Sequence, residues 1–284
     1  MQRTTIGYEM NRKLEELSAA FSTDPRIRRI AEGSLPYGSM EPLGKRLSHL
    51  PPALIPILGD ETEGDYLGYW LRYTNGEFKW SYGHLWFAPT ENSIREVART
   101  EEQLVLKVIL DSASMGKFEN LKKVLANWEI ENVEQVVQFA NMYGDDQKVF
   151  CELPQFRWST PLDSLQYGEP YDGHMPADLN MYHADCMTSQ EIVAILGRLP
   201  VEQSIEEREK YYGLFHNRDL KAGFQYFLAL DRLEEAWAYL NSRGWKKKDA
   251  EKCLQQFADK EGSELIHGLC DWWCGLGRIN FRNY

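Results

Sequence analysis

Tyr66-Leu67-Gly68-Tyr69-Trp70-Leu71-Arg72-Tyr73, then Asn75-Gly76, then Phe78-Lys79-Trp80-Ser81-Tyr82: this stretch decides the fold. Two aromatic-rich runs flank a dipeptide suited to positive φ at both positions, as a type I′ turn requires, so the pattern predicts a β-hairpin. Working outward, Ile55–Leu58 and Leu85–Phe87 are short apolar runs bounded by turn residues, and they predict further strands of the same sheet. Pro56 has no N–H to give to a ladder, which places it at a sheet edge or a strand start.

Helical periodicity brackets the sheet. Over Glu9–Phe21, apolar residues Met10, Leu14, Leu17 and Phe21 recur at steps of three and four. Thr23-Asp24-Pro25 ends that helix and starts another, since Asp caps a helix and Pro suits its first turn. After Pro89 the spacing predicts helices over Ser93–Ala113, Phe118–Trp128 and Val133–Met142, with Ile94, Val97, Leu104, Val108 and Ile109 forming one buried stripe of the first. Lys148–Leu153 reads either as a returning strand or as the end of this helical run. Residues 154–186 carry Pro154, Pro161, Pro170 and Pro176, and a stretch so irregular is a linker or a functional loop. Beyond it, helices are expected over Ser189–Leu199, Ile205–Phe215, Leu220–Leu228, Arg232–Arg243, Lys248–Asp259 and Ser263–Cys274. The fold class expected is α+β: a small, mainly antiparallel sheet flanked by helices, then an all-helical C-terminal half. The division expected is 1–153, a connecting 154–186, and 187–284.

Composition narrows the function classes. With 284 residues, 43% hydrophobic and 26% charged, the chain is in the globular range. Its longest apolar stretches, such as Leu104–Leu110 with Lys107 inside it, fall far short of the roughly 20 residues a membrane span needs. Charges at Arg3, Glu9, Arg12 and Lys13 leave no room for a secretory leader. Five cysteines, an odd number, read as reduced thiols, and a cytoplasmic location is expected. The net charge is −11, and since residues 1–50 are slightly basic, the acidic excess lies beyond them. Such a surface repels nucleic-acid backbones. The basic runs Arg26, Arg28, Arg29 and Lys246, Lys247, Lys248 are short and lack interleaved aromatics, so they read as solvated faces and not as a strand-binding groove. The partner expected is a basic protein, not a nucleic acid or a membrane.

The phrase Ile55-Pro56-Ile57-Leu58-Gly59-Asp60, followed by Gly64-Asp65-Tyr66-Leu67-Gly68-Tyr69-Trp70, resembles the SUKH superfamily, the cell-wall-assembly-regulator-like group whose bacterial members are often immunity proteins against secreted toxins. That family's phrase is an Ile-Pro-apolar strand, a Gly/Asp-rich turn and an aromatic strand, and Glu96–Thr100 with the helix Glu101–Leu110 suits the part after the sheet. The resemblance spans about residues 40–112. Here Leu50-Pro51 and Ile55-Pro56 nearly adjoin, where the family places a helix and a turn between the two elements. The resemblance implies a non-catalytic protein that occludes a toxin. The acidic turn Asp60, Glu61, Glu63 and Asp65 would steer a basic partner, and Tyr66, Tyr69 and Trp70 would supply contact area. The same residues have a plainer reading, as a solvated turn and a set of core aromatics.

Two constellations bear on chemistry. Residues 171–186 gather His174, Asp178, His183, Asp185 and Cys186, groups suited to acid–base work or to a metal-dependent hydrolase, although the spacing matches no ligand signature. His267, Cys270 and Cys274 fall on one helical face, with Cys253 as a further candidate zinc ligand; buried cysteines also act as small hydrophobes. No P-loop, dinucleotide fingerprint or nucleophile elbow is present, so no cofactor is expected and no metal is assigned. A third reading makes residues 187–284 a helical, peptide-binding scaffold.

Overall fold

Strands β3 (Asp65–Thr74) and β4 (Glu77–Phe87) pair antiparallel with Thr74 opposite Glu77, so the connection between the paired residues is two residues long. Gly76 has φ +79°, the conformation for which the turn selects glycine. The computed structural model to which these strands belong describes residues 13–43, 50–60, 65–74, 76–87, 92–156, 220–241 and 245–280. Around the hairpin, β1 (Glu41–Pro42), β2 (Leu54–Asp60) and β5 (Asn92–Ala98) complete a five-stranded antiparallel meander in the order β1-β2-β3-β4-β5. The short β1 pairs only with Leu58 and Gly59, so Pro56 lies beyond its reach, and the register slips between Pro56 and Leu58.

Helices α1 (13–21) and α2 (Pro25–Ala31) precede the sheet, and α3 (Glu101–Ser114), α4 (Leu121–Asn127) and α5 (Val133–Tyr143) follow it. A 3₁₀ turn over Gln147–Glu152 settles the choice left open for Lys148–Leu153. In the C-terminal part lie α6 (Leu220–Ala229), α7 (Leu233–Leu240), α8 (Lys247–Glu261) and α9 (Glu264–Asn280). The α+β class and the helical C-terminal part agree with the sequence reading. One helix does not: residues expected to open a helix at Ser93 form β5, and α3 starts only at Glu101. Thr100 explains the break, because its extended backbone ends the strand and its side chain caps α3 by accepting from the Gln103 N–H at 3.2 Å. Nor does α3 have a single buried stripe. Gln103–Ser112 are all buried, as in a helix enclosed on every side.

Both faces of the sheet are buried along β3, while Trp80 of β4 stays 39% exposed. Tyr69, Leu71 and Tyr73 lie opposite Tyr82, Trp80 and Phe78 on one face. Phe21 of α1 meets Tyr69 and Trp80 there at 5.3 and 5.4 Å between ring centroids, and Trp237 of α7 and Phe257 of α8 meet Phe78 at 5.1 and 6.3 Å. On the other face Tyr66, Trp70, Ser81 and Leu85 are buried as well. The C-terminal helices also satisfy backbone groups where β2 begins. Trp237 Nε1 donates to the Leu71 carbonyl at 3.0 Å, Asn241 Oδ1 accepts from the Ala53 N–H at 2.6 Å, and Trp273 Nε1 donates to the Leu50 carbonyl at 2.9 Å. Sheet and C-terminal helices therefore share one buried core. No helix among the described residues is long and apolar enough to cross a membrane.

Candidate functional site

Asp24 is the N-cap of α2, with Pro25 in the first turn behind it, as the local sequence predicts. Its carboxylate accepts the Arg26 N–H at 2.8 Å and also grips the Arg26 guanidinium, from Nε at 3.1 and 3.0 Å and from a terminal nitrogen at 2.7 Å. The other terminal nitrogen reaches Glu102 Oε2, in the first turn of α3, at 2.6 Å. Burial penalises the Asp24 charge, but the hydrogen bonds and charge of Arg26 outweigh that cost and hold this carboxyl below its ordinary range. Hydrogen bonding to Asp24, helped by Glu102, in turn raises the affinity of Arg26 for its proton.

Opposite this pair, the connection from α4 to α5 brings in Glu129 and Glu131. Two non-glycine residues there, Glu129 and Asn132, sit at φ +56° and +55°, and buried Ile130 pins the loop between them. Gln155 holds the loop from behind by donating to the Glu131 carbonyl at 3.1 Å, while Gln103 donates to the Gln155 carbonyl at 2.9 Å. The result is a cleft of about 580 Å³ lined by Asp24, Pro25, Arg26, Glu102, Glu129, Glu131 and Gln155. Four carboxylates face one guanidinium, which is already bonded to two of them. Glu102 Oε1 and Gln155 Oε1 are inaccessible and have no hydrogen-bond partner among the described residues. The exposed Glu129 and Glu131 are the acceptors open to an entering group, and they suit a donor-bearing, cationic one.

Sequence reasoning missed this cleft. It took Arg26, Arg28 and Arg29 as one solvated basic run, but the three diverge. Arg26 is 17% exposed and paired, whereas Arg28 and Arg29 stay exposed, Arg28 paired with Glu32 at 3.0 Å and Arg29 lying 4.0 Å from the Trp128 ring centroid. The available signal was Asp24-Pro25-Arg26, a cap whose third residue can turn back onto it.

The expected contact residues fare differently. Tyr66, Tyr69 and Trp70 are only 1–2% exposed, so they are core and cannot serve as contact area; the correction follows from β3 being covered on both faces. Asp60 and Asp65 sit opposite each other at the open ends of β2 and β3, both partly exposed. Glu61 and Glu63 lie outside the described residues, as do His174, Asp178, His183 and the whole of residues 171–186. His267 is exposed, the Cys253 thiol is buried against Gln225, and Cys270 and Cys274 lie 3.8 Å apart. Among the described residues no three His, Cys, Asp or Glu side chains are grouped to hold a metal ion. Compared with known proteins, the chain matches no family model, no curated protein and no solved structure.

Proposed function

We propose that this chain is a non-catalytic, immunity-like interaction protein that binds a basic protein, in the leading case a toxin, and neutralises it by occlusion. The observation that carries the reading is the acidic cleft between α2, α3 and the α4–α5 loop, in which Arg26 is occupied by Asp24 and Glu102 while Glu129 and Glu131 remain exposed. The net charge of −11 and the SUKH-like phrase around Ile55–Trp70 support it independently. A lysine or arginine of the partner entering the cleft would meet carboxylates held in place by α2, α3 and the Gln155 brace. Asp60 and Asp65 at the sheet corner would add long-range steering.

The product of the gene beside this one is the partner to test, because toxins and their antidotes are made together. The kinetics of association are measured at low and high salt. A tight complex is expected, whose on-rate falls with salt and drops roughly tenfold when Glu129 and Glu131 are both replaced by Lys. A basic partner that binds at the same rate with and without the reversed charges would overturn the reading.

A further inference from the structure

On α9, Cys270 and Cys274 are one helical turn apart, and their sulfurs approach to 3.8 Å, close to van der Waals contact. The two are not equivalent. Cys270 is 2% exposed and rests on Gln255 Oε1 at 3.5 Å, whereas Cys274 is partly open to solvent. Lys247 of α8 lies over the intervening Trp273, 3.1 Å from the ring centroid, with its Nζ donating to the Trp273 carbonyl at 2.8 Å. Glu251 stands 3.9 Å from that ammonium, and Asp271 and Asp259 are the other charged groups that act on the pair.

We infer that Cys270 and Cys274 form a redox modification site, in which the Cys274 thiolate attacks hydrogen peroxide and Cys270 resolves the product into a disulfide. The Cys274 thiolate attacks the peroxide; its sulfur–oxygen bond forms as the O–O bond breaks, and the departing hydroxide takes up a proton to leave as water. Sulfur is oxidised by two electrons and the peroxide is reduced by two. The Cys270 thiol then loses its proton and attacks the sulfenyl sulfur. The S–S bond forms, the S–O bond breaks, and hydroxide leaves with the Cys270 proton as a second water. The surroundings favour this division of roles. The hydrogen bond between the two thiols, with the Lys247 charge nearby, holds Cys274 below the ordinary thiol range against the opposing effect of burial; that same hydrogen bond, and burial, push Cys270 up. Burial, against the raising effect of nearby Glu251, lowers Lys247 to about 8.

Closing the disulfide asks the helix to give. Side chains four apart on a helix keep their Cβ atoms about 5–6 Å apart, and a disulfide needs about 3.5–4.5 Å. The strain falls in the last turns of α9, where Gly275 and Gly277 follow directly, so it need not propagate into the core. Trp273 sits between the two cysteines and donates to the Leu50 carbonyl, so oxidation would also pull on the residue that ties α9 to the start of the sheet.

The test uses the reduced full chain, exposed to a small molar excess of hydrogen peroxide near pH 7.5, then alkylated, digested and analysed by mass spectrometry. The peptide Glu261–Arg278 should lose two hydrogens, escape alkylation and recover with dithiothreitol. In Cys270→Ser, dimedone should instead trap a sulfenic acid at Cys274, formed about tenfold faster than at exposed Cys151. The inference is overturned if Cys151 oxidises while Cys270 and Cys274 stay alkylatable, or if Cys270 oxidises as fast in Cys274→Ser as in the unaltered chain.

Discussion

The side-chain carbonyl of Asn241, just past the end of α7, accepts the backbone N–H of Ala53 at 2.6 Å, joining residues 188 positions apart inside the core. Its amide donates to the Trp237 carbonyl at 2.8 Å, so one buried side chain closes both the start of β2 and the end of α7. Asn241→Leu keeps the volume but leaves the Ala53 N–H buried and unpaired. A loss of about 2 kcal/mol is expected in urea unfolding, since an orphaned buried donor bears the full cost of desolvation. An unchanged midpoint would mean that water replaces the bond.

Gly68 stands where β3 passes the irregularity at Pro56. A Cβ there would fall on the Ile55 carbonyl oxygen and within 2.7 Å of the Pro56 Cα, both backbone atoms that cannot swing aside. Gly68→Ala is therefore expected to cost about 1–3 kcal/mol as a lower thermal midpoint, by forcing β2 and β3 apart. Gly76→Ala meets no neighbouring atom, yet its φ of +79° makes it unfavourable through the backbone alone, so the two variants separate crowding from conformational strain.

Lys107 and Asp111 form an ion pair within α3, at 2.8 and 2.7 Å, with side chains 3% and 10% exposed. Burial raises the Asp111 pKa although Lys107 works against it. Lys107→Met should cost about 3–5 kcal/mol, because a carboxylate is left without its cation in the core. A carboxyl whose folded pKa is raised contributes stability below its unfolded pKa and loses it as pH rises through the folded one. The deficit of Lys107→Met should accordingly shrink on acidification toward pH 4. Lys107→Met combined with Asp111→Leu should recover much of the loss at neutral pH, and equal deficits in the single and double variants would contradict this account.

Arg26 gives the opposite pH signature. Asp24 is held below 3.8 by Arg26, so its contribution is present above that value and is lost as pH falls through the lowered folded pKa. Arg26→Met should lower stability by about 2 kcal/mol near neutrality, through the lost charge-assisted hydrogen bonds to Asp24 and Glu102. As pH falls through that lowered pKa, its unfolding curve should approach that of the unaltered chain. Chemical denaturation at a series of pH values reads both effects, and a deficit independent of pH would show that Arg26 acts by packing alone.

Much of the fold was legible because its signals are local. The two-residue hairpin turn before Glu77, the Asp24-Pro25 helix start and the last four C-terminal helices each depend on residues within a few positions of one another, and each is found in the structure; the helices expected over Ser189–Leu199 and Ile205–Phe215 lie outside the described residues. The stretch 93–98 was misread because Ile94 and Val97 fit a helical step as well as a short strand; pairing with β4 decided the matter. The candidate cleft was illegible for another reason. Arg26 and Glu102 are 76 positions apart, and nothing near either one announces the other.

The chain's own order of residues determined where the central hairpin turns, where α2 begins and that a small antiparallel sheet lies among helices, because turn chemistry and periodicity act between neighbours. Only tertiary packing decided which surfaces remain. Aromatics on β3 look the same in sequence whether a helix covers them or not, and once α1, α7 and α8 close over one face, with the other buried as well, Tyr66, Tyr69 and Trp70 become interior. The acidic cleft arises instead where α2, α3 and the α4–α5 loop converge, since burial and charge balance are set by elements distant in the chain.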